Sequence, residues 1–178
     1  MNDFDWITGD QHFAHKNILR FCYRPHWREP YDHRHDEMLI ENWNTMVSPS
    51  DTILHTGDFA NRCSKDHIRF IAEQLNGTVT LIKGNHDRQT TGFYESLGFT
   101  VIEPLEVRRG SITIHISHYP MQQLGDKHIN LHGHLHNNYA DCLTYRHRNV
   151  GVDLSWGYPL PYKQIIEEMI AKVKSATR

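Results

Sequence analysis

The chain has 178 residues, 19 Lys and Arg against 21 Asp and Glu, a formal net charge of -2 with histidine neutral, and 38% hydrophobic and 22% charged residues. That length is one ordinary domain, 1–178, able to bury roughly two-thirds of the surface its unfolded chain exposes. The composition excludes a disordered, collagen-like or coiled-coil chain, and the charge excludes an overall basic nucleic-acid binder while leaving room for a local basic patch. Fifteen histidines are the unusual count, and they direct attention to metal or acid–base chemistry.

In chain order, short apolar runs that end in Gly, Asp, Asn or His alternate with helical patterns. Residues 4–8 read as a strand that ends in Gly9-Asp10-Gln11-His12. Leu39, Trp43 and Val47 recur at helical spacing and predict a helix over 33–47. Residues 52–56 form a second strand, ending in Gly57-Asp58. Ser64 suits the cap of a helix carrying Ile68, Ile71, Ala72 and Leu75, with Gly77 placed to end it. A third strand over 78–82 runs into Gly84-Asn85-His86-Asp87, and a short helix around 93–97 closes at Gly98. From Phe99 onward the pattern changes to consecutive strands, with a hairpin across Arg109-Gly110. Strands over 112–117 and 129–132 end in His118 and in Gly133-His134-Leu135-His136. Pro161 suits the first turn of a last helix, whose stripe is Ile165, Ile166, Met169, Ile170 and Val173. The fold class is α/β, with two sheets packed together and flanked by helices.

Cys22, Cys63 and Cys142 form no C-x-x-C pair, so neither a disulfide framework nor a thiolate zinc site is expected. The first residues, Met1-Asn2-Asp3-Phe4-Asp5, lack a basic leader pattern, and nowhere do eighteen apolar residues follow one another. The expectation is a cytoplasmic protein with no membrane partner; oligomeric state is open.

In open α/β sheets, ligands bind beyond the carboxyl ends of the strands, where each Asp/His/Asn cluster falls. Asp10 and His12, read as extended chain, leave on one face, as do His134 and His136. Asp10, His12, Asp58, Asn85, His118, His134 and His136 together supply seven oxygen and nitrogen donors without a thiolate. One tetrahedral zinc takes three or four. Two ions sharing a carboxylate fit better, and such pairs serve hydrolysis by activating water and clamping the attacking and leaving oxygens. The mixed donors suit manganese first, with iron, zinc, nickel or cobalt as alternatives.

Asp10-x-His12, Gly57-Asp58, Gly84-Asn85-His86-Asp87, His118 and Gly133-His134-x-His136, in this order over residues 10–136, resemble the signature of the calcineurin-like metallophosphoesterases. The resemblance implies a four-layer fold of two mixed β-sheets sandwiched between helices. It implies one metal on Asp10, His12 and His136 and a second on Asn85, His118 and His134, with Asp58 bridging. A hydroxide between the ions would attack phosphorus, and His86 would contact phosphate or protonate the leaving group. The family's protein phosphatases carry Gly-Asp-x-x-Asp-Arg where this chain has Gly57-Asp58-Phe59-Ala60-Asn61-Arg62. Asn61 cannot support a His86 cation by charge, which leaves Asp87 as the nearby carboxylate and turns the expectation from phosphoproteins toward phosphodiesters or small phosphate esters. Nucleotides and nucleic acid are among the compatible substrates.

Arg62 keeps the place of a phosphate-gripping arginine. His15 lies close enough in sequence to reach the site rim, and Arg24 and Arg28, interleaved with Phe21, Tyr23, Trp27 and Tyr31, are the further candidates for substrate contact. His115 and His132 are expected on sheet faces. The alternative is a non-catalytic scaffold on the same fold, against which every ligand position is filled.

Overall fold

The structure is a computed structural model describing residues 3–24 and 34–176. Its first sheet contains β1 (Trp6–Thr8), β2 (Thr52–His55), β3 (Thr78–Ile82), β4 (Thr100–Ile102) and β9 (Leu160–Pro161), in the order β4-β3-β2-β1-β9. The first four strands are parallel and β9 runs antiparallel to β1. The second sheet has the order β5-β6-β7-β8, from β5 (Leu105–Arg109), β6 (Ile112–Ser117), β7 (His128–His132) and β8 (His147–Asn149). The β5–β6 hairpin is antiparallel, and β6, β7 and β8 are parallel. Two mixed sheets flanked by helices are therefore the architecture.

Two apolar layers hold it. Ile7, Leu54 and Ile82 from one face of the first sheet meet Ile112, Ile114, Ile116, Ile129 and Leu131 from the second, together with Tyr162, Ile165, Ile166 and Met169 of α5 (Tyr162–Ala176). The other face of the first sheet, Ile53, Val79 and Leu81, packs under α2 (Arg34–Met46), α3 (Lys65–Ala72) and α4 (Thr91–Glu95) through Leu39, Trp43, Ile68, Ile71 and Tyr94. Each such fully buried aliphatic side chain contributes about 1.5–3 kcal/mol relative to exposure. A short α1 (Lys16–Phe21) follows the first loop.

Local signals act at the helix starts. Ser64 Oγ accepts the His67 N–H and Thr90 Oγ1 the Phe93 N–H, each satisfying an otherwise unpaired donor. Two expectations change. The helix after Ser64 ends at Ala72, well before Gly77, which instead turns at φ +88° against Val47 and Asp51. Pro161 does not open the last helix but pairs with Trp6 at the sheet edge, a strand position its missing N–H tolerates. His33, predicted as a helix start, lies outside the described residues. Among the described residues no helix is long and apolar enough to cross a membrane.

Candidate metal centre

Parallel strands with helical crossovers place their carboxyl ends together, and the segments after β1, β2, β3, β6 and β7 meet there. Backbone bonds stitch these loops to each other: Asp10 N–H donates to Gly57 O, His12 N–H to Asp58 O, Gly133 N–H to His118 O, and Val152 N–H to Gly9 O. The loops are not extended. Asp10, His12, Asp58, His134 and His136 all have positive φ, between 51° and 69°, a region that costs a non-glycine residue energy and persists only where surrounding contacts enforce it. The extended-chain reason expected for Asp-x-His and His-x-His is therefore wrong. The side chains converge because the backbone alternates through left-handed turns.

Two donor groups result. Asp10, His12 and His136 present ligand atoms within 4.8 Å of one another, as do Asp58, His118 and His134; His12, Asp58 and His86 form a third grouping that joins them. Asp58 lies between, with Oδ2 3.2 Å from His12 Nε2 and 3.5 Å from His118 Nε2. Asn85 Oδ1 is 3.0 Å from His118 Nε2. All seven predicted donors are thus brought to one place. Glycines make the room: a Cβ at Gly84 would collide with Asp58 and His118, and one at Gly133 or Gly151 would press on Asp10.

The donor chemistry fits cations. His118 Nδ1 faces the Thr56 carbonyl at 2.9 Å, so that nitrogen carries the proton, and burial holds the imidazole below its ordinary pKa and neutral. Its Nε2 then directs a bare lone pair at Asn85 Oδ1 and at Asp58 Oδ2, with His134 Nδ1 3.2 Å away. Acceptors facing acceptors at these distances repel unless a positive ion sits among them. The carbonyl behind His118 is the kind of outer partner that orients a metal-binding imidazole.

Charge is arranged around this centre. Asp10 is fully buried, and burial pushes its carboxyl up to about 7 against the opposing pull of His136 and the His134 N–H. Burial would also raise Asp58, but its bond with His12, the nearness of His118 and the His86 N–H outweigh it and hold it well below the usual range. Burial lowers His12 to about 4, and lowers His15 likewise to about 4. His136 is the exception: although burial would lower it, Asp153, Cys22 and Asp10 raise it to about 10.

Asp153 was not legible as a site residue. Its Oδ2 accepts from His136 Nδ1 at 2.8 Å, and Arg24 grips both its oxygens at 2.7 and 2.8 Å. Arg24 also donates to the Gln11 carbonyl and the Asp10 carbonyl, both at 2.7 Å, and approaches His35. With its N–H groups so engaged and 7% of its surface exposed, Arg24 pins the first loop and the carboxylate behind His136. Its guanidinium is thus committed to these partners rather than presented to solvent, unlike the open substrate contact expected. Arg28 lies outside the described residues.

His86 reaches the centre as expected, its ring 4.9 Å from His12 and its N–H donating to Asp58 Oδ1. Asp87 does not orient it. That carboxylate accepts from the backbone N–H groups of Asp58, Phe59 and Gly84 and from the Tyr94 hydroxyl, locking two loops together. His86 Nδ1 is buried without a hydrogen-bond partner. His15 comes to the rim, with Nδ1 3.2 Å from His12 Nδ1. Arg62 is exposed beside His86 on one cavity wall.

No protein-family model matches the chain. It is 27% identical over 180 residues to an uncharacterised protein, MJ1445, of Methanocaldococcus jannaschii, covering 94% of this chain and 89% of that one. A gene 66 protein of Mycobacterium phage L5 is 25% identical over 85% of this chain and 87% of its own. Among solved structures, a protein of unknown function from Aquifex aeolicus, AQ665, superposes with a TM-score of 0.67 at 22% identity, over 91% of this chain and 97% of that one, so the fold is shared. A nuclease MPE from Pseudomonas putida overlaps less, at 20% identity and a TM-score of 0.46 over 73% of this chain and 60% of that one, too little to bear on function.

Proposed function

We propose that the chain is a metal-dependent phosphoesterase acting on phosphodiesters or small phosphate esters. The observation that carries this reading is the meeting of two donor groups at Asp58, with His118 Nε2 facing the oxygens of Asn85 and Asp58. Asp10, His12 and His136 would hold one divalent ion and Asn85, His118 and His134 a second, with Asp58 shared; manganese is the first choice, and iron, zinc, nickel or cobalt also suit the donors. When bound, such ions lower the pKa of water and neutralise charge building on a phosphoryl group.

The chain's own residues do the rest. Asp153, backed by Arg24, accepts from His136 Nδ1 and would leave Nε2 to the centre once a bound ion displaces its proton. The His134 N–H donates to both Asp10 oxygens, at 3.0 and 2.8 Å, and holds that carboxylate in place. His86, partly exposed and beside Asp58, is positioned to touch a phosphate oxygen or to give a proton to the departing oxygen.

A panel of aryl phosphodiesters and monoesters with manganese tests the reading on wild type, Asp58→Asn and His86→Ala. Hydrolysis lost in Asp58→Asn and reduced in His86→Ala is expected; full activity in both variants, or none in the wild type across the panel, overturns it.

A further inference from the structure

The strip between α3 and α4 carries cations that the metal centre does not use. A cavity of about 100 Å³ opens beside His86, lined also by Arg62, Arg88, Cys63 and Tyr94. The Arg62 and Arg88 side chains are exposed and make no hydrogen bond or ion pair among the described residues. Arg62 stands in a left-handed turn, φ +56°. From the cavity's Tyr94 wall the ring of Phe93, 5.6 Å away, continues the surface, and Lys65 and Arg69 of α3 stand over Phe93 at 5.3 and 6.0 Å. Neither has an acidic partner among the described residues. The paired arginines, Arg24, Arg108, Arg109 and Arg146, are elsewhere. Asp66 and Glu95 are exposed on the same two helices, so the strip is moderately rather than strongly positive. Asp87, the acid nearest His86 in sequence, is buried and spent on backbone N–H groups.

Four side-chain cations without acidic partners, two on the cavity and two over the neighbouring Phe93 ring, suit an anion carrying several charges. Phe93 and Tyr94 are only 8% and 1% exposed, so they offer no open ring for base stacking and the ligand would be read through its backbone. We propose that the surface from His86 through Arg62 and Arg88 to Lys65 and Arg69 is the track of a nucleic-acid strand. It rests on the phosphoesterase reading only for placing the scissile phosphate at the metal centre; the phosphates on one side of it meet these cations.

Fluorescence anisotropy of labelled oligothymidylates tests the track. Four engaged phosphates predict that the logarithm of affinity falls with the logarithm of salt at a slope of about -3 for a single strand. The slope should flatten by about 0.7 for each charge removed in Arg88→Gln and in Lys65→Gln/Arg69→Gln. An octamer should bind at least about tenfold more tightly than a dimer, which cannot span the strip. Arg108→Gln, on the far sheet, should leave the slope unchanged. A dimer bound as tightly as the octamer, a flat salt profile, or equal flattening by Arg108→Gln overturns the track. Aryl diester hydrolysis by the same wild-type preparation reads the metal centre separately. Strand binding without hydrolysis keeps the track and removes the phosphoesterase reading; hydrolysis without salt-dependent strand binding does the reverse.

Discussion

Two regions of the molecule are rich in histidine and differ in almost everything else. At the carboxyl ends of the strands, His12, His15, His86, His118, His134 and His136 surround Asp10 and Asp58, on loops with left-handed backbone. On the outward face of the second sheet, His115, His128, His132 and His147 sit in regular strands. There they pair with each other and with carbonyls: His115 Nε2 with His128 Nδ1 at 2.8 Å, His132 Nδ1 with Gly133 O, His147 Nε2 with Met121 O. Among the described residues, the carboxylate paired with one of these histidines is Glu106, 3.7 Å from His115 and half exposed. Histidine count alone therefore says little. A cation site needs buried carboxylates among the imidazoles and a backbone bent to aim them, and only the first region has both.

The sharpest way to break that contrast is Asp58→Asn. Removing the shared carboxylate should cut metal uptake and hydrolysis by more than about 100-fold, the upper end of what outer partners alone cost, as read by calorimetric titration with manganese and by turnover. A smaller loss is expected for Asp153→Asn, which leaves every ligand in place but unties His136 from Arg24: manganese affinity should fall about 10- to 100-fold. Unchanged affinity there would mean that His136 needs no orienting partner.

The pH dependence of the metal-free protein sharpens the comparison further. Burial lowers His12 and His15 to about 4, His55 to about 3 and, on the other sheet, His132 to about 4, against an unfolded value of 6.5. Below pH 6.5 the unfolded chain takes up protons that these folded imidazoles refuse, so stability drops as pH falls through that window. Asp10 and Asp87, raised by burial to about 7 and about 6, work the opposite way, taking up protons first in the folded state. Seven lowered histidines, these four with His115, His118 and His134, set against Asp10, Asp87 and the raised His136 predict a lower Tm at pH 5 than at pH 7. A Tm that rises on acidification would show the carboxyls dominating. The smallest effect belongs to the second region: His115→Gln should leave manganese affinity unchanged and shift stability by no more than about 0.5–1 kcal/mol in urea unfolding.

Much of the molecule was legible from residue patterns. The β3 and β6 strands match the predicted 78–82 and 112–117 runs residue for residue, and β2 and β7 agree within one residue at an end, because apolar runs bounded by Gly and Asp are strong signals for buried parallel strands. Less visible were β8 and β9, three and two residues long, whose polar or proline-containing sequences acquire strand geometry only by pairing with β7 and β1. Arg24 misled for a related reason. An arginine among exposed aromatics reads as a surface group, and its burial depends on Asp153, 129 positions away.

By itself the sequence determined which chemistry was available: seven oxygen and nitrogen donors without thiolate, placed after apolar runs, and an α/β order of elements. Those are properties of residue type and local period, which the chain carries before it folds. Only the tertiary structure decided how the donors are aimed, that Asp87 ties loops instead of orienting His86, and that Arg24 and Asp153 stand behind His136. Each of these depends on contacts between segments far apart in sequence and on backbone turns enforced by those contacts, and neither is written in the spacing of any one motif.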